Sequence, residues 1–163
     1  MISSPITARG EVALRAGGYI LETDHGPIFA GSLIGSAVSG VTLDHFNKFA
    51  VLGTFTNTGA DGLDLRDVNA LTIVGDIDAG QGALILTQNT VGGLTIKARL
   101  TSGASVNLNS GGTVRELNAG AIVTPLLNVT AVTGIELTGP NQINTVGTRH
   151  TNSGLNVING VGP

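Results

Sequence analysis

Leu63-Asp64-Leu65, Leu84-Ile85-Leu86 and Val106-Asn107-Leu108 each place an apolar residue at every second position, and their starts are almost evenly spaced along the chain. Alternation of this kind marks a strand with one buried face. The same x-y-x pattern also starts at Val12, Val41, Ile135 and Leu155, so the steps along the whole chain are 29, 22, 21, 22, 29 and 20. A second series, Ile20, Phe49, Leu71, Leu94, Val114 and Ile143, follows with an offset of about 8 to 10 residues, as the next flat side of the same coil should. Turn formers lie between the strands, among them Gly17-Gly18, Thr58 to Gly62, Ala79 to Gly82, Gly92-Gly93, Ser110 to Gly112 and Gly139-Pro140-Asn141. Gly and Asn lower the steric cost of the positive φ that tight corners require.

A longer repeat runs over the short one. Shifting the sequence by 94 residues aligns 6–54 with 100–148 without a gap, with 16 identities in 49 positions. They include Gly17/Gly111, Glu22/Glu116, Gly26/Gly120, Ile28/Ile122, Leu33/Leu127 and Asn47/Asn141. A period near 21 with several short strands per turn predicts an all-β parallel β-helix, or β-solenoid, of about seven coils of 20–29 residues. Leu63, Leu65, Leu84 and Leu86 are expected to stack inward in ladders. The 29-residue steps predict that one coil in each group of four is long. Gly26 to Gly40 and Gly120 to Gly134, which supply the extra length, are read as an added flank that widens the core. A β-sandwich shares the short strands and frequent turns, yet it does not account for an ungapped 94-residue repeat. Leucine-rich repeats need an L-x-x-L-x-L signature that does not recur here. Residues 1–163 read as one solenoid segment, and with the internal repeat of 6–54 in 100–148 it is expected to be a fragment of a longer protein.

Composition narrows the function classes. The chain has 25 Gly, 12% charged residues, 3% aromatic residues and a formal net charge of −3. With 41% hydrophobic residues it departs from the low-hydrophobicity, high-charge signature of disorder. The eight Lys and Arg are scattered, without the basic face that nucleic acid requires. Apolar runs are two to five residues long, against about 20 for a membrane helix, so neither nucleic acid nor membrane insertion is expected. Cysteine is absent, which removes disulfides and thiolate metal sites and suits a chain threaded unfolded through an outer-membrane pore.

The stretch Val51 to Leu84, VLGTFTNTGADGLDLRDVNALTIVGDIDAGQGAL, resembles the repeat region of filamentous-haemagglutinin-like exoproteins and autotransporter passengers. Those units share the order Gly-x-Phe, a Ser or Thr, a Gly, then Leu-x-Asp and Leu-Thr-Val before a closing Gly. Val146-Gly147-Thr148 to Ser153-Gly154-Leu155-Asn156-Val157 is similar in a degenerate form. The resemblance is one of style and covers most of the chain. It implies a right-handed β-helix stalk, secreted across the outer membrane and displayed on the bacterial surface, with no catalytic residues to transfer. The expectation is a structural or adhesive stalk segment, not an enzyme, with a host-cell or glycan receptor and head-to-tail self-association through open coil edges as its partners. The alternative is a carbohydrate-active β-helix enzyme or a phage tail-fibre segment acting on polysaccharide.

Several groups invite chemistry. Acidic residues gather at Asp61, Asp64, Asp67, Asp76 and Asp78, and paired carboxylates or a carboxylate-bound calcium with a basic partner serve polysaccharide cleavage. Asp61 and Asp64 with Arg66 fit those roles on paper. The competing reading, preferred here, makes them turn residues and outward strand residues that keep a nearly neutral rod soluble. Gly59 to Leu65 (GADGLDL) resembles the calcium nonapeptide but occurs once, where binding needs successive stacked turns. His25 beside Asp24 and His45 beside Asp44 are writable as base and orienter. The repeat replaces them with Ala119 and Gly139, so surface turn positions are expected, as for His150. Thr54 to Thr58 offers one Thr-x-Thr-x-Thr row, broken in its counterpart at Thr148 to Asn152. The Asn128 to Thr130 sequon carries no weight in a bacterial protein. No catalytic, cofactor-binding or metal-ligating residue is assigned, and no cofactor is expected.

Overall fold

The computed structural model describes residues 1–117 and 119–152, and the backbone of 156–158. It is all-β and contains no helix among these residues. Every pairing between strands is parallel. Parallel neighbours that recur at a nearly constant interval are the signature of a coil stacked on itself, and about seven turns follow one another here. With adjacent strands about 4.8 Å apart, the stack is a rod on the order of 34 Å long.

Each turn has three faces. The first carries Tyr19–Leu21, Gly40–Asn47, Leu63–Asp67, Leu84–Gln88 and Val106–Ser110, then the later parts of Ala121–Ala131 and Gln142–Thr151. The second begins with Glu11 and Val12, Ser32 and Leu33, and Val51 and Leu52; it continues through Leu71–Ile73, Leu94–Ile96, Thr113–Glu116, Gly134–Leu137 and Asn156–Ile158. The third takes the ends of the long early strands, then Ile77–Asp78, Arg99–Thr101 and the beginnings of the last two long strands.

Alternation sends every second side chain inward, and parallel register stacks like upon like. Leu63 pairs with Leu84 and Leu84 with Val106, one column as the sequence predicts. The column extends to Val41 and Ile20 on one side and to Leu127 on the other. Leu43, Leu65, Leu86, Leu108 and Val129 form a parallel column, all buried. Removing each such side chain from water contributes roughly 1.5–3 kcal/mol, and no turn could bury its own set alone.

Turn length corrects one expectation. The offset between stacked partners runs from 19, between Val123 and Gln142, to 23, between Leu71 and Leu94, and no turn among the described residues has 29. Val12 stacks on Leu33, not Val41, and Val106 on Leu127, not Ile135. The step from Val106 to Ile135 is one turn plus one face, and the step from Val12 to Val41 is one turn plus the passage across the third face onto the first. Gly26 to Gly40 and Gly120 to Gly134 therefore add no flank. They hold ordinary strands whose Leu33, Ala37, Leu127, Val129 and Ala131 fill the regular columns. The 94-residue unit spans four turns and one face. Four turns on from Ile20, through Val41, Leu63 and Leu84, comes Val106 on the first face, and the repeat counterpart of Ile20, Val114, lies on the second. Leu155, the last member of the predicted series, lies outside the described residues.

Gly35 shows why the first copy hides its register. It occupies an inward position, and a Cβ there would meet the ring of Phe55, its stacking partner one turn later. The ring of one turn fills the volume that the previous turn leaves empty. Corners are closed by Gly62 and Gly80, at φ +76° and +65°, where any side chain would also collide with backbone of the adjoining turn.

Candidate functional site

Where the chain leaves a face, its backbone leaves the ladder, and a buried polar group must then be satisfied by a side chain. An inward polar column at the end of the first face does this. Asn47, Asp67, Gln88 and Ser110 are all buried and stack in register. Asn47 Oδ1 accepts from Ile28 N at 2.8 Å, Asp67 Oδ2 from Phe49 N at 2.8 Å, and Gln88 Nε2 donates to Asn69 O at 2.8 Å. Ser110 Oγ donates to Gln88 Oε1 at 3.1 Å. Burial pushes the Asp67 carboxyl up to about 6, against the lowering effect of the two backbone donors at Phe49 and Asn69 and the charge of Lys48. Asp67 is thus an interior residue, contrary to the reading of the acidic stretch as solvent-facing. The signal lies in parity: Leu63, Leu65 and Asp67 share one, as do Leu84, Leu86 and Gln88.

Two corners carry a more elaborate device, related by the 94-residue repeat. Asn47 Nδ2 donates to Glu22 Oε2 at 2.8 Å, and Asn141 Nδ2 donates to Glu116 Oε2 at 3.0 Å. The amide oxygens accept from Ile28 N at 2.8 Å and Ile122 N at 2.7 Å. Both glutamates are buried, and in each Oε1 has no partner among the described residues. Burial raises both carboxyls above the usual range. The identities Glu22/Glu116, Ile28/Ile122 and Asn47/Asn141 in the repeat are therefore the parts of a clamp, one that sequence reasoning missed.

The surroundings of the clamps differ. Over Glu22, His45 N donates to Oε2 at 3.4 Å. The His45 ring stands with Nε2 3.2 Å from Asp24 Oδ1 and 3.7 Å from Asp44 Oδ1. The predicted pairing of His45 with Asp44 is present, and Asp24 joins it from the preceding turn; His25 is exposed. At the second clamp Gly139 replaces His45, its N donating to Glu116 Oε2 at 2.7 Å. A cavity of about 60 Å³ lies there, lined by Glu116, Leu117, Gly120, Thr138 and Gly139.

The remaining acidic residues disperse. Asp61 Oδ2 accepts from Tyr19 OH at 2.8 Å, which raises the phenol's pKa. Asp64 faces outward, half-buried, its carboxyl raised by burial and by the nearby Asp44 charge. Asp76 Oδ1 accepts from Arg99 N and Asp78 Oδ1 from Gly80 N, both at 2.9 Å. Arg66 lies over the Phe46 ring at 4.8 Å, so the sketched Asp61–Asp64–Arg66 trio does not assemble. His150 bonds to Asn152 at 3.1 Å on the surface. Among the described residues no three metal-ligating side chains converge.

The third face presents the larger concavity, a groove of about 380 Å³ lined by Asn57, Thr58, Asp78, Gly80, Gln81, Thr101, Ser102 and Gly103. Its hydroxyls, amides and single carboxylate are suited to hydrogen-bonding a sugar or peptide edge. Compared with known proteins, the chain matches no protein-family model, no curated protein and no solved structure.

Proposed function

We propose that the chain is a segment of a structural or adhesive stalk in a secreted bacterial surface protein of the filamentous-haemagglutinin-like or autotransporter type, non-catalytic and displayed at the outer surface. The observation that carries this reading is the unbroken stacking of turns of nearly constant length, with Leu, Ile and Val columns running from turn to turn. A fold built this way transmits length, and its outer side chains change without disturbing the core. A glycan or host-cell receptor would meet the polar groove of the third face. The test is a glycan array probed with the purified chain, run beside incubation with pectins, alginates and capsular polysaccharides. Binding without turnover supports the stalk; turnover of any of them overturns it.

The half-buried Asp64, with its raised carboxyl near the Asp44 that pairs with His45, favours a second reading, a carbohydrate-active β-helix. Polysaccharide turnover that disappears in Asp64→Ala would establish it.

A further inference from the structure

We infer, on the reading of the chain as a non-catalytic stalk, that the outer side of the third face is a binding groove for a neutral, unbranched polysaccharide lying parallel to the rod axis. Ser36, Thr56, Asp78, Thr101 and Val123 stack in one outward column across successive turns, between Arg15 and Gln142. The column lines three concavities of about 250, 380 and 190 Å³. Thr56 belongs to the first and its stacking partner Asp78 to the second, and Ser102 is shared by the second and the third. The three form one trough, on the order of 29 Å long from Arg15 to Gln142 at about 4.8 Å per turn.

The lining selects the ligand by what it offers and what it withholds. The hydroxyls of Thr56 and Thr101 and the amides of Gln81 and Gln142 bond to no other described residue, so they can donate to and accept from a hydroxyl-rich chain. Ile34, Val123 and Pro125 add small apolar patches that suit the C–H faces of sugar rings. Among the described lining residues only Arg15, at one end, and Asp78, in the middle, carry charge, and their signs cancel. A uronate or sulfated polymer would be repelled at Asp78, and a cationic one at Arg15. An extended peptide fares worse. Strand addition needs an unpaired backbone edge, and the N–H and C=O groups of this face are already used in the ladders between turns.

Stacking also sets how such a ligand is held. No aromatic side chain lines the trough among the described residues, so no single sugar has a strong platform. Similar polar positions recur at every turn instead, and weak contacts along one polymer add up because each bound unit raises the effective concentration of the next. Affinity therefore grows with ligand length until the trough is filled.

Isothermal titration calorimetry of the full 163-residue chain tests this with neutral gluco-, manno- and xylo-oligosaccharides of about two to about ten units. Pectate, alginate and heparin fragments are run alongside, and released reducing ends are measured in the same samples. For at least one neutral series Kd should fall roughly tenfold from the shortest to the longest member. It should change by less than about twofold between roughly 20 mM and 500 mM NaCl. Thr56→Val/Thr101→Val keeps two β-branched side chains and removes their hydroxyls; it should weaken binding several-fold with an unchanged circular dichroism spectrum. Thr87→Val, outward on the first face, should bind like wild type. No binding of any neutral series, tighter binding of an anionic one, or a Kd independent of length overturns the groove and leaves the stalk reading standing. So does a folded Thr56/Thr101 variant that binds like wild type, or a loss of binding in Thr87→Val. Release of reducing ends overturns the stalk reading itself.

Discussion

The two clamp corners, Glu22–Asn47 and Glu116–Asn141, have matching hydrogen bonds and different covers. Beneath, an amide bridges a buried glutamate side chain to a backbone N–H within the first two residues of the next strand. Above, one is sheltered by His45 with Asp24 and Asp44, the other by Gly139 and a small cavity. They also sit at different corners of the cross-section, because the repeat advances four turns and one face. The comparison teaches that the clamp belongs to a corner of this shape wherever it occurs. What is held constant is the group that satisfies backbone polarity inside; what varies is the side chain that meets solvent.

Removing the amides should have the largest effect. Asn47→Ala and Asn141→Ala each leave a buried carboxylate oxygen and a buried N–H without that partner, and each should lower stability by about 3–5 kcal/mol. Urea denaturation of both variants decides whether the corners are equivalent. A loss under about 1 kcal/mol at either one would break the comparison.

A smaller effect should come from pH. Asp67, Glu22 and Glu116 have raised carboxyls in the folded chain, so the folded state binds protons that the unfolded state has released. Their stabilising effect is complete below the unfolded values near 4 and is lost as pH rises through the folded values, about 6 for Asp67. Thermal unfolding should therefore show a higher Tm at pH 5 than at pH 7.5, with Asp67 contributing on the order of 1–1.5 kcal/mol between these two values. Asp67→Asn should flatten that profile.

Glu22→Gln and Glu116→Gln keep the shape and an acceptor while removing the buried charge. Each should raise stability at pH 7.5 by about 1 kcal/mol, and calorimetry of the two side by side shows whether the His45 cover changes the gain. The smallest effect belongs to the cover itself. His45→Gln removes the partly exposed ring contacts with Asp24 and Asp44 and should change stability by less than about 1 kcal/mol, since the clamp below remains whole.

Much of the fold is legible because the middle turns state it plainly. Leu63-x-Leu65, Leu84-x-Leu86 and Val106-x-Leu108 have two large inward residues per strand and glycine at the corners. The early turns conceal the same register. Gly35 has no side chain to mark its inward position, and the volume is filled by Phe55 from the following turn, a contact that no local pattern reveals. Leu127-x-Val129 is visible as a pair, but matching by the 94-residue shift leads past it to Ile135. The candidate site is less legible because an inward Asp or Asn reads as solvent-facing by composition. Parity alone places Asp67 inside, and only the stacking brings Asp24 to His45 across a turn.

The central claim is nearly constant turn length, and the absence of cysteine makes it directly testable. Asn107 and Asn128 are stacked neighbours one turn apart, while Glu136, at the longer interval that the spacing of apolar pairs suggests, lies on the next face. Adjacent strands bring Cα atoms about 4.8 Å apart, within disulfide reach. Under mild oxidation, Asn107→Cys/Asn128→Cys should close a disulfide and Asn107→Cys/Glu136→Cys should not. Closure of the second pair with the first left open would contradict the account.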